Sequence, residues 1–234
     1  PISCYTPVLY SVKHPATYTD SFIPIFASKL QGVDVVLDPF AGTGKIGLIK
    51  EFGFNGKVFC NEIEPEWCFN KKYKIDKWTN CDAEFLPFKT GEIGAICTSP
   101  TYGNRMADKH NSKDSSLRIT YRHTLGRELS SENTGCMQWG VNYKLKHEKI
   151  YVELKRVLRK EGLFILNIKD HIRKGEQMPV TSWHKNTLQS IGLILVEEIK
   201  VPVNSMKKGR NSELRVSYES ILIFNNSTLF LRIR

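Results

Sequence analysis

Short apolar runs recur along the chain: VDVVL (33–37), KVFC (57–60), IGAIC (93–97), LFILNI (163–168), LILVEEI (193–199) and ESILIF (219–224). Runs of this length read as strands. Between them the period changes. In KHEKIYVELKRVLRKEG (146–162), Ile150, Leu154, Val157 and Leu158 recur at three- and four-residue spacing, which predicts a helix with Gly162 as its stop. TDSFIPIFASKL (19–30) predicts another helix before the first strand, with Thr19 at the N-cap. Strand and helix in alternation predict an α/β fold, doubly wound, with a mostly parallel sheet covered by helices on both faces. The last two runs have no helical pattern between them and are expected to pair antiparallel.

Two stretches break the alternation. Residues 101–140 are polar, rich in Arg, Lys, Asn and Ser, and carry Tyr102, Tyr121 and Trp139. That is too long for an ordinary connection and marks a functional loop or a small insertion. Residues 202–215 (PVNSMKKGRNSELR) join the last two strands and set Lys207, Lys208, Arg210 and Arg215 against one acid, Glu213.

Composition narrows the picture. A chain of 234 residues that is 41% hydrophobic suits one core, so a single domain over 1–234 is expected. The net charge of +10, with only 25% charged residues, describes a folded protein with surplus cations and makes a polyanion a candidate partner. The six cysteines (Cys4, Cys60, Cys68, Cys81, Cys97 and Cys136) form no C-x-x-C pair, so buried thiols in a reducing compartment are expected and no metal site. No run approaches the ~20 apolar residues that cross a bilayer, and the N-terminus lacks a signal-peptide layout. A cytoplasmic location without a membrane partner is the expectation.

The candidate chemistry begins at VVLDPFAGTGKIG (35–47), which runs from a strand through Asp38, Gly42 and Gly44 into a helix start. Glycines at such a turn let the backbone approach a ligand lying across the carboxyl ends of parallel strands. Ile46 follows Lys45, so the G-x-x-x-x-G-K-[ST] pattern of a phosphate loop is not matched. The next strand ends in CNEIEP, where Glu62 is placed to accept from both hydroxyls of a ribose. NCDAEFLPF presents Asp82 at another strand end, where a carboxylate can accept from the amino group of an adenine.

DPFAGTG, NEIEP and CDA…LPF resemble the first three motifs of the S-adenosylmethionine-dependent amino-methyltransferases that act on DNA, the N4-cytosine and N6-adenine methylases. The resemblance covers most of residues 13–224. It implies a Rossmann-like class I methyltransferase fold of seven strands, with S-adenosyl-L-methionine as cofactor. By that resemblance Asp38, Gly42 and Gly44 hold the methionine part, Phe40 packs near the cofactor, Glu62 binds the ribose and Asp82 the adenine. His14, in KHPATYTDSF, stands where the family carries a motif written around H-P or K-P, and is given no role.

IGAICTSPTY (93–102) resembles the family's S-P-P-Y motif, in the version associated with cytosine N4. An exocyclic amine is a weak nucleophile because its lone pair is delocalised into the ring. Acceptors on its two hydrogens, here the Ser99 hydroxyl and the Pro100 carbonyl, help the nitrogen pyramidalise for attack on a methyl group. Tyr102 offers a ring face to a base that has left the duplex. Methylation at cytosine C5 needs a Cys directly after the proline, and Thr101 stands there instead. Thr101 also replaces the family's second proline, which leaves the backbone beside the acceptor freer. Cys97 is read as core.

Arg105, Lys109, Lys113, Arg118 and Arg122 follow the motif, and Lys207, Lys208 and Arg210 fall on the same sheet edge. They are the candidate nucleic-acid contacts, with DNA the expected partner and RNA an alternative. Trp139 and Trp183 are read as packing. The function implied is site-specific DNA methylation of the restriction–modification kind, most directly at cytosine N4. Adenine N6, an amine of an RNA base, and a non-catalytic nucleic-acid-binding subunit are the alternatives.

Overall fold

A computed structural model describes residue 14 and residues 19–102, 121–173, 175–203 and 213–227, except the side chains of residues 122 and 123. The first half of the sheet is β1 (Val35–Asp38), β2 (Lys57–Asn61), β3 (Lys77–Thr79) and β4 (Ile93–Thr98). The second half supplies β5 (Leu158–Ile168), a hairpin of β6 (His171–Arg173) and β7 (Glu176–Met178) that pair only with each other, then β8 (Ile194–Pro202) and β9 (Tyr218–Asn225). The main sheet has seven strands in the order β3-β2-β1-β4-β5-β9-β8. All run parallel except β9, which is antiparallel to both β5 and β8, in line with the expected reversal of the last strand.

Alternation along the central strands divides the apolar residues between two faces. Leu37, Ile96, Phe164, Leu166, Leu222 and Phe224 meet Tyr151, Leu154 and Val157 of α3 (Val141–Val157) and Val180 and Leu188 of α4 (Val180–Ser190). Val36, Ala95, Cys97, Ile165, Ile221 and Ile223 meet α1 (Phe22–Lys29) and a 3-10 helix over Lys45–Phe52. Truncating one of these buried aliphatics to Ala costs roughly 2–5 kcal/mol. Cys97, wholly buried, is core. A short helix, α2 (Tyr121–Leu125), lies within the polar stretch.

Three local expectations need correction. Ser21, not Thr19, holds the N-cap position of α1, while the Thr19 carbonyl accepts from the Phe22 N–H. The helix after the glycine loop is 3-10 throughout. Gly162 does not stop α3: the helix ends at Val157, and Leu158 already pairs with Ile93 of β4. Gly162 lies inside β5, where a Cβ would come within 2.9 Å of the Gly94 carbonyl and 2.8 Å of the Arg159 carbonyl. Its lack of a side chain serves strand packing. Among the described residues no helix is long and apolar enough to cross a membrane.

Candidate functional site

The strand order reverses between β1 and β4, so their connections leave the sheet in opposite directions and open a crevice at the carboxyl ends. A cavity of about 360 Å³ occupies that edge, within the range of small-molecule sites. Phe40, Gly42, Glu62 and Asp82 line it from the segments that follow β1, β2 and β3, and Ser99, Pro100 and Tyr102 from the segment that follows β4. Asp38 and Gly44 stand behind this wall. The Asp38 carboxylate is fully buried and accepts from the Thr98 hydroxyl at 2.6 Å and the Phe40 N–H at 3.1 Å, tying β1 to β4. Gly44 has φ +82°, and a Cβ there would lie 2.9 Å from the Trp78 ring. Arg105, Lys109, Lys113, Arg118, Lys207, Lys208 and Arg210, and the side chain of Arg122, lie outside the described residues.

Protein oxygens hold the glycine loop. The Ala41 N–H donates to the Asn61 carbonyl at 3.0 Å, the Gly44 N–H to the Ala41 carbonyl at 2.8 Å, and the Gly42 N–H to Glu62 Oε2 at 2.8 Å. Glu62 Oε1 accepts from the Glu64 N–H at 3.0 Å. Burial pushes the Glu62 carboxyl up to about 7, against the pull of these N–H donors. A carboxyl so placed faces the cavity with lone pairs to spare. His14 packs edge-on against Trp67 at 4.2 Å and close to Gly42, and it also lines the cavity.

Asp82 is held from two sides. Its Oδ2 accepts from Lys146 Nζ at 2.5 Å, and its Oδ1 from the Glu84 N–H at 3.1 Å. Lys146 also reaches Glu132 at 2.9 Å and Glu84 at 3.0 Å. Burial opposes its charge, but the three carboxylates outweigh that and hold the ammonium above its ordinary range.

Glu64 anchors the part of the polar stretch that is described. Its carboxylate, wholly buried, accepts from Arg127 Nη2 (2.8 Å), the Ser130 N–H (2.9 Å), the Ser130 hydroxyl (3.1 Å) and Asn133 Nδ2 (2.8 Å). Arg127 grips Glu66 as well, at 2.5 and 2.7 Å. These bonds draw Asn133 and Thr134 to the cavity wall.

At the end of β4 the Ser99 hydroxyl lies 3.2 Å from the Tyr102 hydroxyl. The freedom expected from Thr101 in place of proline is taken up by side chains. The Thr101 hydroxyl bonds Thr134 Oγ1 at 2.9 Å, and its carbonyl accepts from the Tyr143 hydroxyl at 2.6 Å. That uses the Tyr143 proton, so His184 Nε2–H donates to the phenol oxygen at 3.1 Å, and His184 Nδ1 accepts from Tyr151. Burial holds His184 well below the ordinary histidine range and His147, its ring tilted against Tyr143 with centroids 4.1 Å apart, down to about 4. The neutral His184 imidazole and the Tyr143 and Tyr151 phenols therefore brace the motif from α3 and α4, with His147 packed against the Tyr143 ring. Trp139 and Trp183 pack edge-to-face at 5.7 Å beside them.

Sequence reasoning passed over Glu64, Tyr143, Lys146, Asn167 and His184. Only Asn167 left a local signal, a polar residue inside the apolar run LFILNI.

Sheet order, the antiparallel penultimate position of β9 and a cavity across β1 and β4 define the class: this is the Rossmann-like fold of class I methyltransferases. No protein-family profile and no curated protein matches the chain. Solved structures do. An S-adenosylmethionine-dependent methyltransferase from Methanosarcina mazei aligns over 87% of this chain and 97% of its own, with TM-score 0.53 and 12% identity. A protein from Pyrococcus horikoshii OT3 aligns over 87% of each chain, also at TM-score 0.53 and 12% identity. The 1,6-didemethyltoxoflavin-N1-methyltransferase of Burkholderia thailandensis, solved with its substrate and S-adenosylhomocysteine, aligns over 89% of this chain and 78% of its own, at TM-score 0.53 and 12% identity. At such identities the likeness carries the fold.

Proposed function

We propose that the protein is an S-adenosyl-L-methionine-dependent methyltransferase that modifies an exocyclic amine of a DNA base, cytosine N4 first among them. The observation that carries this reading is the sharing of one cavity by two sets of residues: Phe40, Gly42, Glu62 and Asp82 from the segments that follow β1, β2 and β3, and Ser99, Pro100 and Tyr102 from the segment that follows β4.

The residues present fit the cofactor. Glu62 offers buried carboxyl oxygens to a ribose diol, Asp82 an acceptor to an adenine amine, and Phe40 an apolar wall. When bound, S-adenosyl-L-methionine supplies an electrophilic methyl group on a sulfonium. The Ser99 hydroxyl and Pro100 carbonyl accept from the two amine hydrogens of the target and orient its lone pair. Tyr102 supplies a stacking face for the extruded base, recovering part of an unstacking cost of a few kcal/mol. Tyr143 and Thr134 keep Thr101, the residue between these groups, in one conformation. No covalent bond to the protein forms, and the amine proton that methylation displaces passes by way of the Ser99 hydroxyl to solvent.

The test is a nucleoside digest. DNA and RNA are incubated with the protein and methyl-labelled cofactor, digested, and resolved by mass spectrometry. Label in N4-methylcytosine is the expected result. Label only in N6-methyladenine, or only in an RNA nucleoside, reassigns base or polymer, and label in no nucleoside overturns the reading.

A further inference from the structure

Asn167 is 1% exposed, lines the cavity, and its Nδ2 has no hydrogen-bond partner among the described residues. A buried amide left unpaired costs roughly 1–3 kcal/mol, so its retention inside an apolar strand calls for an occupant that accepts from it. Position in the sheet says which occupant. Leu166 pairs with Thr98, so Asn167 sits one residue further along, beside Ser99. On its other side Asn167 pairs with Ile221 of β9. Glu62 and Asp82 leave from β2 and β3, on the opposite side of β4. The carboxamide therefore belongs to the part of the cavity that receives the acceptor of the methyl group. Glu219 completes this wall, its carboxylate 4.0 Å from Lys169 Nζ, so a neutral reader is set beside an internally balanced ion pair.

We infer that Asn167 is a specificity-determining residue, whose side-chain N–H donates to the bare ring nitrogen next to the methylated amine, N3 in cytosine or N1 in adenine. This inference rests on the base-methylation reading above. Ser99 and Pro100 accept from the amine hydrogens, and Asn167 adds the complementary donor. Thymine, uracil and guanine carry a proton on the corresponding ring nitrogen and present donor to donor. Donation to the ring draws electron density from the amine, so the contact serves recognition rather than rate. Loss of it raises KM and leaves kcat nearly unchanged.

The test uses an oligonucleotide carrying the site found in the digest, and a second in which that cytosine is 3-deazacytosine, with CH in place of N3; for an adenine target the second probe is 1-deazaadenine. Binding is read by fluorescence anisotropy and turnover by labelled methyl transfer, for the wild type and Asn167→Leu. The wild type should lose about ten-fold in affinity and KM on the deaza probe, the effect of one buried hydrogen bond. Asn167→Leu should bind both probes equally, at the weaker level, with a melting temperature no lower than the wild type because an unpaired amide has been removed. A wild type indifferent to the ring nitrogen, or an Asn167→Leu protein that still discriminates the probes, overturns the inference alone. A wild type that labels no base overturns the function and the inference with it.

Discussion

Tyr143→Phe isolates the bracing of the S-P-T-Y strand end. The substitution keeps the ring, and so leaves no cavity, but removes one hydroxyl that donates to the Thr101 carbonyl at 2.6 Å and accepts from His184 at 3.1 Å. Tyr143 and His184 are both wholly buried, so the imidazole N–H finds no water, at a cost of about 1–3 kcal/mol. Thr101 is half-buried and its carbonyl is rehydrated in part, for about 1 kcal/mol more. A total near 3 kcal/mol corresponds to about 6–12 °C in melting temperature for a chain of this size. Differential scanning calorimetry measures that loss. Steady-state kinetics at a temperature where the variant is folded should then show kcat reduced with cofactor affinity intact, because Thr101 lies between the Pro100 carbonyl and Tyr102. Tyr151→Phe is the control. It strips the other nitrogen of His184 without touching Thr101, so it should lower stability and spare kcat. An unchanged melting temperature in Tyr143→Phe, or an equal kcat loss in both variants, would refute the bracing role.

Two other outcomes follow from the carboxylates after β2. Glu62, pushed up to about 7 by burial, keeps a proton in the folded protein that the unfolded chain releases near pH 4.5. Its contribution to stability is therefore greatest below about pH 4.5 and falls as pH rises to about 7; urea titrations across that window should give a flatter profile for Glu62→Gln, and parallel profiles would sink the assignment. Glu64→Ala should release residues 127–133 from the β2 exit, raising amide exchange there and weakening sinefungin binding in calorimetry, with the central strands still protected. Exchange unaltered in that segment would show that Arg127–Glu66 suffices.

Contiguous signals were the legible ones. The glycine loop, the acid after β2 and the S-P-T-Y strand end each pack their chemistry into a few neighbouring residues, and the strand–helix alternation carried the sheet's class and its reversed strand. The misread places are those where one local pattern serves two structures. Leu158 continues the helical spacing of Ile150, Leu154 and Val157, yet sheet pairing with Ile93 wins. Gly162 has the look of a helix stop, whereas only the approach of the Gly94 and Arg159 carbonyls explains it. β3 is three residues long and gives almost no periodicity. The Thr101–Tyr143–His184–Tyr151 brace joins residues up to 83 positions apart, and Lys146 reads as an ordinary solvent-facing helix residue until Asp82, Glu84 and Glu132 converge on it.

The glycine loop has a consequence for which small molecules the cavity turns away. A loop that welcomes nucleoside triphosphates or dinucleotides aims free main-chain amides at their anionic oxygens. Here the N–H groups of Phe40, Ala41, Gly42 and Gly44 all donate to protein oxygens, that of Gly42 to the carboxyl of Glu62. ATP or NAD would bring negative charge to a turn with those four donors engaged. A ligand's hydroxyl groups find the Glu62 carboxyl there, whereas a phosphate finds no free main-chain amide at these four positions and would depend on side chains such as Lys45, which lines the cavity and pairs with Asp20.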